Sequence, residues 1–118
     1  MPGRRKGVLL PLEEAILVVA LGRLREGLPD FHGFALAEEL ESGHGGDRLL
    51  AFGTLYKALG RLERDGLLIS AWEDVDPAVA GRPRRRLYRA TSATGRALAH
   101  SRVLQEPLSK TTVRVSPA

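Results

Sequence analysis

From Ala51 to Gly66 the chain reads AFGTLYKALGRLERDG, and this stretch leaves few folds open. At helical spacing Phe52, Leu55, Leu59 and Leu62 fall at i, i+3, i+7 and i+10 and make one apolar stripe. Lys57, Arg61 and Arg64 recur on the opposite side, next to Thr54. One face therefore needs a core, and the other suits water or a negatively charged surface. Gly66 is a helix stop, and the run that begins at Leu67 changes to strand periodicity.

The segments around it follow in a definite order. Pro11 suits the first turn of a helix, and Glu13 and Glu14 complement its dipole. That helix is expected to run to about Arg25, before Gly27 and Pro29. Its interior, Ala15–Leu21, is apolar nearly all round, so it must be covered on more than one side. Two covers remain open: a second subunit, or the rest of the same chain. Asp30–Gly33 reads as a turn into a second helix, Phe34–Glu41, with Phe34, Leu36, Ala37 and Leu40 inward. Ser42–Asp47 is a glycine-rich connector without the Lys-Ser/Thr ending of a phosphate cradle. Arg48–Leu50 is an extended entry, and Thr54 is a candidate cap for the helix that follows.

Beyond Gly66, strands over Leu67–Asp74 and Arg84–Ala90 flank turn material at Val75–Pro83 and form a hairpin. Trp72 is expected in the core at the hairpin base. Thr91 is the expected N-cap of a last helix that reaches about Gln105 and ends before Pro107. The expected organisation is a flexible basic arm over 1–10, a DNA-binding unit over 11–90, a C-terminal dimerisation helix over 91–106 and a disordered tail over 107–118. The fold class is mainly α with a small β-hairpin, in the order α-α-α-β-β-α. This is the winged variant of the helix-turn-helix.

Charge sharpens the reading. The net charge is +4, but residues 1–50 hold six Lys/Arg against eight Asp/Glu, and residues 51–118 hold twelve against six. Basic charge thus gathers from the opening stretch onward, with a further cluster at Arg4-Arg5-Lys6; two readings stay open on charge alone, a solvated surface with a basic bias and a nucleic-acid partner. No cysteine is present, which removes disulfides and thiolate chemistry. Ala15–Leu21 falls well short of the ~20 residues a membrane span needs, so no membrane role is expected. His32, His44 and His100 have no ligand spacing, and the carboxylates sit on solvated helix faces. Neither an enzyme nor a metal or other cofactor is expected, and the absence of cysteine fits a reducing, cytoplasmic location.

The candidate DNA-binding residues are Thr54, Tyr56, Lys57 and Arg61 on the third helix, His32 ahead of the second, and Arg82, Arg84 and Arg85 in the hairpin loop. The N-terminal end of such a helix meets base edges, and hairpin arginines follow the backbone or a minor groove. Tyr56 lies on the flank of the apolar stripe, and core packing and a phosphate contact both remain open for it. Arg64 is the weaker candidate. Arg86 and Arg89 are better read as strand residues with solvated tips, and Glu63 as holding a turn against its neighbours.

Several motifs together resemble the PadR family of bacterial winged-helix transcriptional regulators. His32-Gly33-Phe34-Ala35-Leu36 is similar to that family's opening of the second helix. Gly53-Thr54-Leu55-Tyr56-Lys57-Ala58-Leu59, Arg61-Leu62-Glu63 and Asp65-Gly66-Leu67-Leu68 resemble its third-helix signature. Gly81-Arg82-Pro83-Arg84-Arg85, Leu87-Tyr88-Arg89 and Thr91 to Gly95 resemble its wing and the start of its last helix. The similarity spans about residues 8–105. It implies a homodimer on palindromic double-stranded operator DNA, usually repressing, whose last helix packs on the partner's first. Leu12, Ile16, Val19, Ala97, Leu98 and Leu104 are the expected dimer contacts, and a small-molecule effector near that interface belongs to the same picture. The family commonly carries a longer last helix than Pro107 permits here. The competing function is a winged-helix module for protein–protein contact that binds no DNA.

Overall fold

In the computed structural model, residues 7–43 and 51–105 are described. The connector around His44, the entry Arg48–Leu50, most of the basic arm and the tail lie outside them. The elements are α1 (Pro11–Arg25), β1 (Phe31–His32), α2 (Gly33–Gly43), α3 (Phe52–Arg64), β2 (Leu68–Trp72), α4 (Pro77–Ala80), β3 (Arg86–Ala90) and α5 (Thr94–Gln105). This is a winged helix-turn-helix with one more strand than the sequence suggests.

The core is where the helical stripes meet. Ile16, Leu17 and Ala20 of α1 pack with Leu36, Ala37 and Leu40 of α2, and with Leu55, Ala58, Leu59 and Leu62 of α3. The all-apolar α1 is covered by its own chain on that side only; Val18 stays 45% exposed. Phe34 and Phe52, expected inward, are instead 55% and 46% exposed. Both sit in the first turn of their helix, past the edge of the core, and their rings stack on each other at 6.2 Å. Ala58 occupies the core position on α3 that Phe52 does not. The N-cap of α3 is Ala51 and no side chain caps it, so Thr54 lies inside the helix, exposed.

Gly66 ends α3 with φ +78°, a left-handed conformation that suits a residue without Cβ. The Leu67 N–H then donates to Leu62 O at 2.9 Å, and β2 begins. The sheet order is β1-β3-β2, antiparallel throughout. Residues 31–32, read from sequence as a turn, pair with Leu87 and Tyr88; two residues are too few to carry a periodic signal. Phe31 stacks on Tyr88 at 6.1 Å and closes the core under the sheet. Trp72 is not core: it is 61% exposed, at the end of β2 away from Leu68, with Arg86 5.0 Å over its ring. The turn material contains the one-turn α4, capped by Asp76, whose carboxylate accepts from Ala78 N–H at 2.9 Å.

Thr91 Oγ1 accepts from Ala93 N–H, and Thr94 Oγ1 from Thr91 N–H, which sets the start of α5. Its Ser101 is fully buried and accepts from Leu9 N–H at 2.8 Å, so the last residues of the expected flexible arm are pinned to α5. Ile16 and Leu98, expected as dimer contacts, are buried in this chain's own core. Leu12, Val19, Ala97 and Leu104 are half-buried.

One ion pair crosses this core. Glu13, 1% exposed in the first turn of α1, accepts from Arg61 Nε of α3 at 2.7 Å. Its other oxygen accepts from Leu10 N–H at 2.9 Å, the backward half of a capping box. Arg61→Met takes this partner from a buried carboxylate and is expected to lower the unfolding free energy by about 2 kcal/mol. The discount from a fully buried pair reflects the one-third exposure of the Arg61 side chain. Urea denaturation of both proteins checks the value.

Candidate nucleic-acid interface

At 100° per residue, the side of α3 directly opposite Leu55, Ala58, Leu59 and Leu62 carries Gly53, Lys57, Gly60 and Arg64. All four are exposed. Among the described residues neither Lys57 nor Arg64 has a partner, so both charges face solvent. Thr54 and Arg61 occupy the flank toward α1. Arg61, a candidate for phosphate, is turned instead to Glu13, which leaves only the outer part of its guanidinium exposed.

The opposite flank is an aromatic ridge. Tyr56 is 44% exposed, and its ring lies over Gly33. A Cβ at Gly33 would collide with the Tyr56 hydroxyl and ring, so the glycine of the His-Gly-aromatic motif makes room for a tyrosine one helix away. Phe52 continues the ridge, 6.4 Å from Tyr56. Tyr56 thus does part of each role open to it, covering the α2 start while showing an edge to solvent.

His32 caps α2: its Nδ1 accepts from Ala35 N–H at 3.4 Å. Arg85 Nη1 sits 3.2 Å from its Nε2. A neutral imidazole has a single acceptor nitrogen, so the tautomer sets which of the two contacts is a hydrogen bond. The exposed Arg85 side chain has no carboxylate partner among the described residues. Burial, followed by the Arg85 charge, holds His32 below its ordinary pKa, so the neutral ring is the folded form.

The three wing arginines have unlike surroundings. Arg82 forms a two-pronged pair with Glu73, Nη1–Oε1 2.7 Å and Nη2–Oε2 3.0 Å, across the neck of the loop. Glu73 Oε1 also accepts from Arg85 N–H at 3.2 Å. Arg84 Nε donates to Val75 O at 2.8 Å. The wing is thus closed by its own basic residues, and the charge of Arg82 is matched before any ligand arrives. Nothing in residue spacing announced Glu73 as the staple; its distance from Arg82 shrinks only once the hairpin forms. Of the strand arginines, Arg86 Nε donates to Ser70 Oγ at 3.0 Å, Ser70 donates to Glu63 at 2.5 Å, and Arg89 pairs with Asp30 at 2.8 Å. Both keep solvent-exposed side chains while pairing within the fold.

Among the described residues no group of three or more His, Asp or Glu side chains could hold a metal ion, and no helix is long and apolar enough to cross a membrane. The surface that remains is a half-exposed helix beside a wing. The family model of the transcriptional regulator PadR-like family matches residues 21–101, from the end of α1 into α5. This chain belongs to the PadR-like family. "Transcriptional regulator Rv3488" of Mycobacterium tuberculosis is 46% identical over 81 residues, covering 69% of this chain and 68% of the relative. A transcriptional regulator from Clostridium thermocellum superposes with a TM-score of 0.65 over 90% of both chains at 19% identity, a likeness of fold alone. A PadR-family transcriptional regulator from Eggerthella lenta reaches a TM-score of 0.57 at 28% identity, over 85% of this chain and 79% of its own. As a PadR-like protein the chain is a transcriptional regulator, and the relatives it resembles are regulators rather than enzymes.

In this PadR-like wing, the Arg82 hydrogen bonds hold the Glu73 carboxyl down to about 2, from an ordinary 4.5. A lowered carboxyl stabilises the fold above its unfolded value and loses that contribution as pH falls through the folded one. The staple's contribution is therefore complete above about pH 4.5 and is lost as the pH falls from there toward 2. Glu73→Gln is expected to speed amide exchange across residues 74–85 at pH 7, while α1 and α3 keep their protection. Hydrogen exchange with mass spectrometry reads both regions at once.

Proposed function

We propose that the chain is a sequence-specific DNA-binding repressor that acts as a homodimer on a palindromic operator. The observation that carries this reading is the exposed stripe of α3, where Lys57 has no partner among the described residues and stands beside an ordered wing. Thr54, Tyr56 and Lys57 meet the major groove. His32 and the exposed Arg85 lie where the α2 start and the wing approach the phosphates. Arg84 adds its outer guanidinium edge, and Arg82 acts by keeping the wing closed. Arg61 is a positioning residue first and a phosphate contact only through its exposed part.

The dimer uses what this chain leaves uncovered. Between α1, α2 and α5 runs a groove of about 380 Å³ whose wall includes Ala15, Val18, Val19 and Leu40. Glu14 and Arg102, paired at 2.8 Å, line it as well. Leu10 and Val103 extend the exposed apolar surface nearby. Of the half-buried residues expected at a dimer contact, Val19 lines this groove. A second copy would cover this face, and any small-molecule effector would enter at the same seam. The competing role, a protein-contact module, has no use for an unmatched Lys57 and Arg64 on the most exposed line of the helix. With Arg82 internally matched, that argument rests on α3 more than on the wing.

Selection of bound fragments from genomic DNA tests the reading. The expected result is a palindrome with half-sites about one helical turn apart. On that DNA, Lys57→Ala should lower the slope of log K against log salt by about 0.9 per contact removed. Arg61→Met should change stability more than slope. No retention of any DNA at low salt would overturn the proposal.

A further inference from the structure

Resting on the DNA-binding reading above, we propose that Phe52 is a specificity-determining residue that reads thymine through its 5-methyl group in the major groove. The chemical inventory of α3 points there first. Reading purine edges takes Arg, Lys, Asn or Gln near the groove floor. No Asn or Gln occurs between Ala51 and Gly66, and Arg61 is turned to Glu13. The first two turns offer Thr54, Tyr56 and Lys57 as their polar side chains, and the Tyr56 ring is committed to covering Gly33. What the tip of the helix presents besides these is an exposed phenyl ring. The thymine methyl is the apolar feature of the major groove that such a ring can recognise.

The ring is also held ready. Phe52 stands between Phe34 and Tyr56, with centroids at 6.2 and 6.4 Å, and Tyr56 is fixed in turn against Gly33. A side chain ordered before binding loses less freedom on contact. Clearance is the third observation. Gly53 and Gly60 lie on the exposed stripe, Gly53 beside Phe52 and Gly60 about two turns further along α3, and a Cβ at either would meet nothing within 4 Å. Neither has a positive φ, so nothing inside the protein requires glycine there. Glycine is a poor helix former, and its repeated use on this line lets a ligand come close to the α3 backbone. That approach brings a ring on the adjacent flank to the depth of a thymine methyl.

Thymine-to-deoxyuridine replacement, which removes only the methyl, tests this with the full chain. Duplexes selected from a random pool are synthesised with each thymine of a half-site replaced in turn, and affinity is measured by anisotropy. At one or more positions the replacement should weaken binding about fourfold, the effect of one buried methyl-sized group. The penalty should vanish in Phe52→Ala and in Phe52→Gln, a polar variant suited to a helix, and persist in Lys57→Ala. The wild-type scan needs no variant to fold. A scan with no deoxyuridine penalty anywhere overturns the inference, as does a penalty undiminished in the Phe52 variants. Failure to select any DNA would instead overturn the DNA-binding reading itself.

Discussion

The Glu13–Arg61 pair is the interaction on which the position of the candidate recognition helix depends. It joins a fully buried carboxylate in the first turn of α1 to the last turn of α3 at 2.7 Å. Buried ion pairs contribute little net stability against an apolar alternative, since desolvation offsets most of the attraction. They do fix orientation, because a misplaced partner leaves a charge in the core. Apolar contacts between α1 and α3 would tolerate a small rotation of α3 about its axis. This pair resists it, and such a rotation would move Lys57 and Phe52 across a groove.

The same end of α1 is tied to α5. Leu9, just before the helix, donates to buried Ser101, and Glu14 accepts from Arg102 at 2.8 Å. Helices α1 and α5 also border the groove that a second copy would cover. The first turn of α1 is thus joined to both α5 and α3, through Glu14–Arg102 and Glu13–Arg61.

Much of the architecture was legible because periodicity and punctuation agree. Pro11 and Gly66 bound their elements as written, and Leu55, Leu59 and Leu62 are core because their spacing admits no other face. Phe34 and Phe52 fall on the inward stripe by spacing and Trp72 at the base of the hairpin, yet each lies at the end of its element, where the core no longer reaches. Pattern gives the face of a residue but not how far along the element burial extends. Ion pairs across the fold were invisible for a different reason. Arg61 with Glu13, and Arg82 with Glu73, meet only after the chain has folded, and a count of basic residues treats all of them as available. At the candidate DNA surface this changes the ranking: Arg82 and Arg61 are largely engaged by the protein itself, and Lys57 and Arg85 are the more available cations.

The central claim is that the N-terminal half of α3 faces the DNA, and site-specific photocross-linking tests it most directly. A photoreactive side chain is placed at Thr54, which has no internal hydrogen bond among the described residues, and for comparison at Arg96 on the exposed side of α5. The account predicts cross-links from position 54 to bases of a half-site and none from position 96. Cross-links from 96 with none from 54 would mean that DNA lies on another face, and would contradict it.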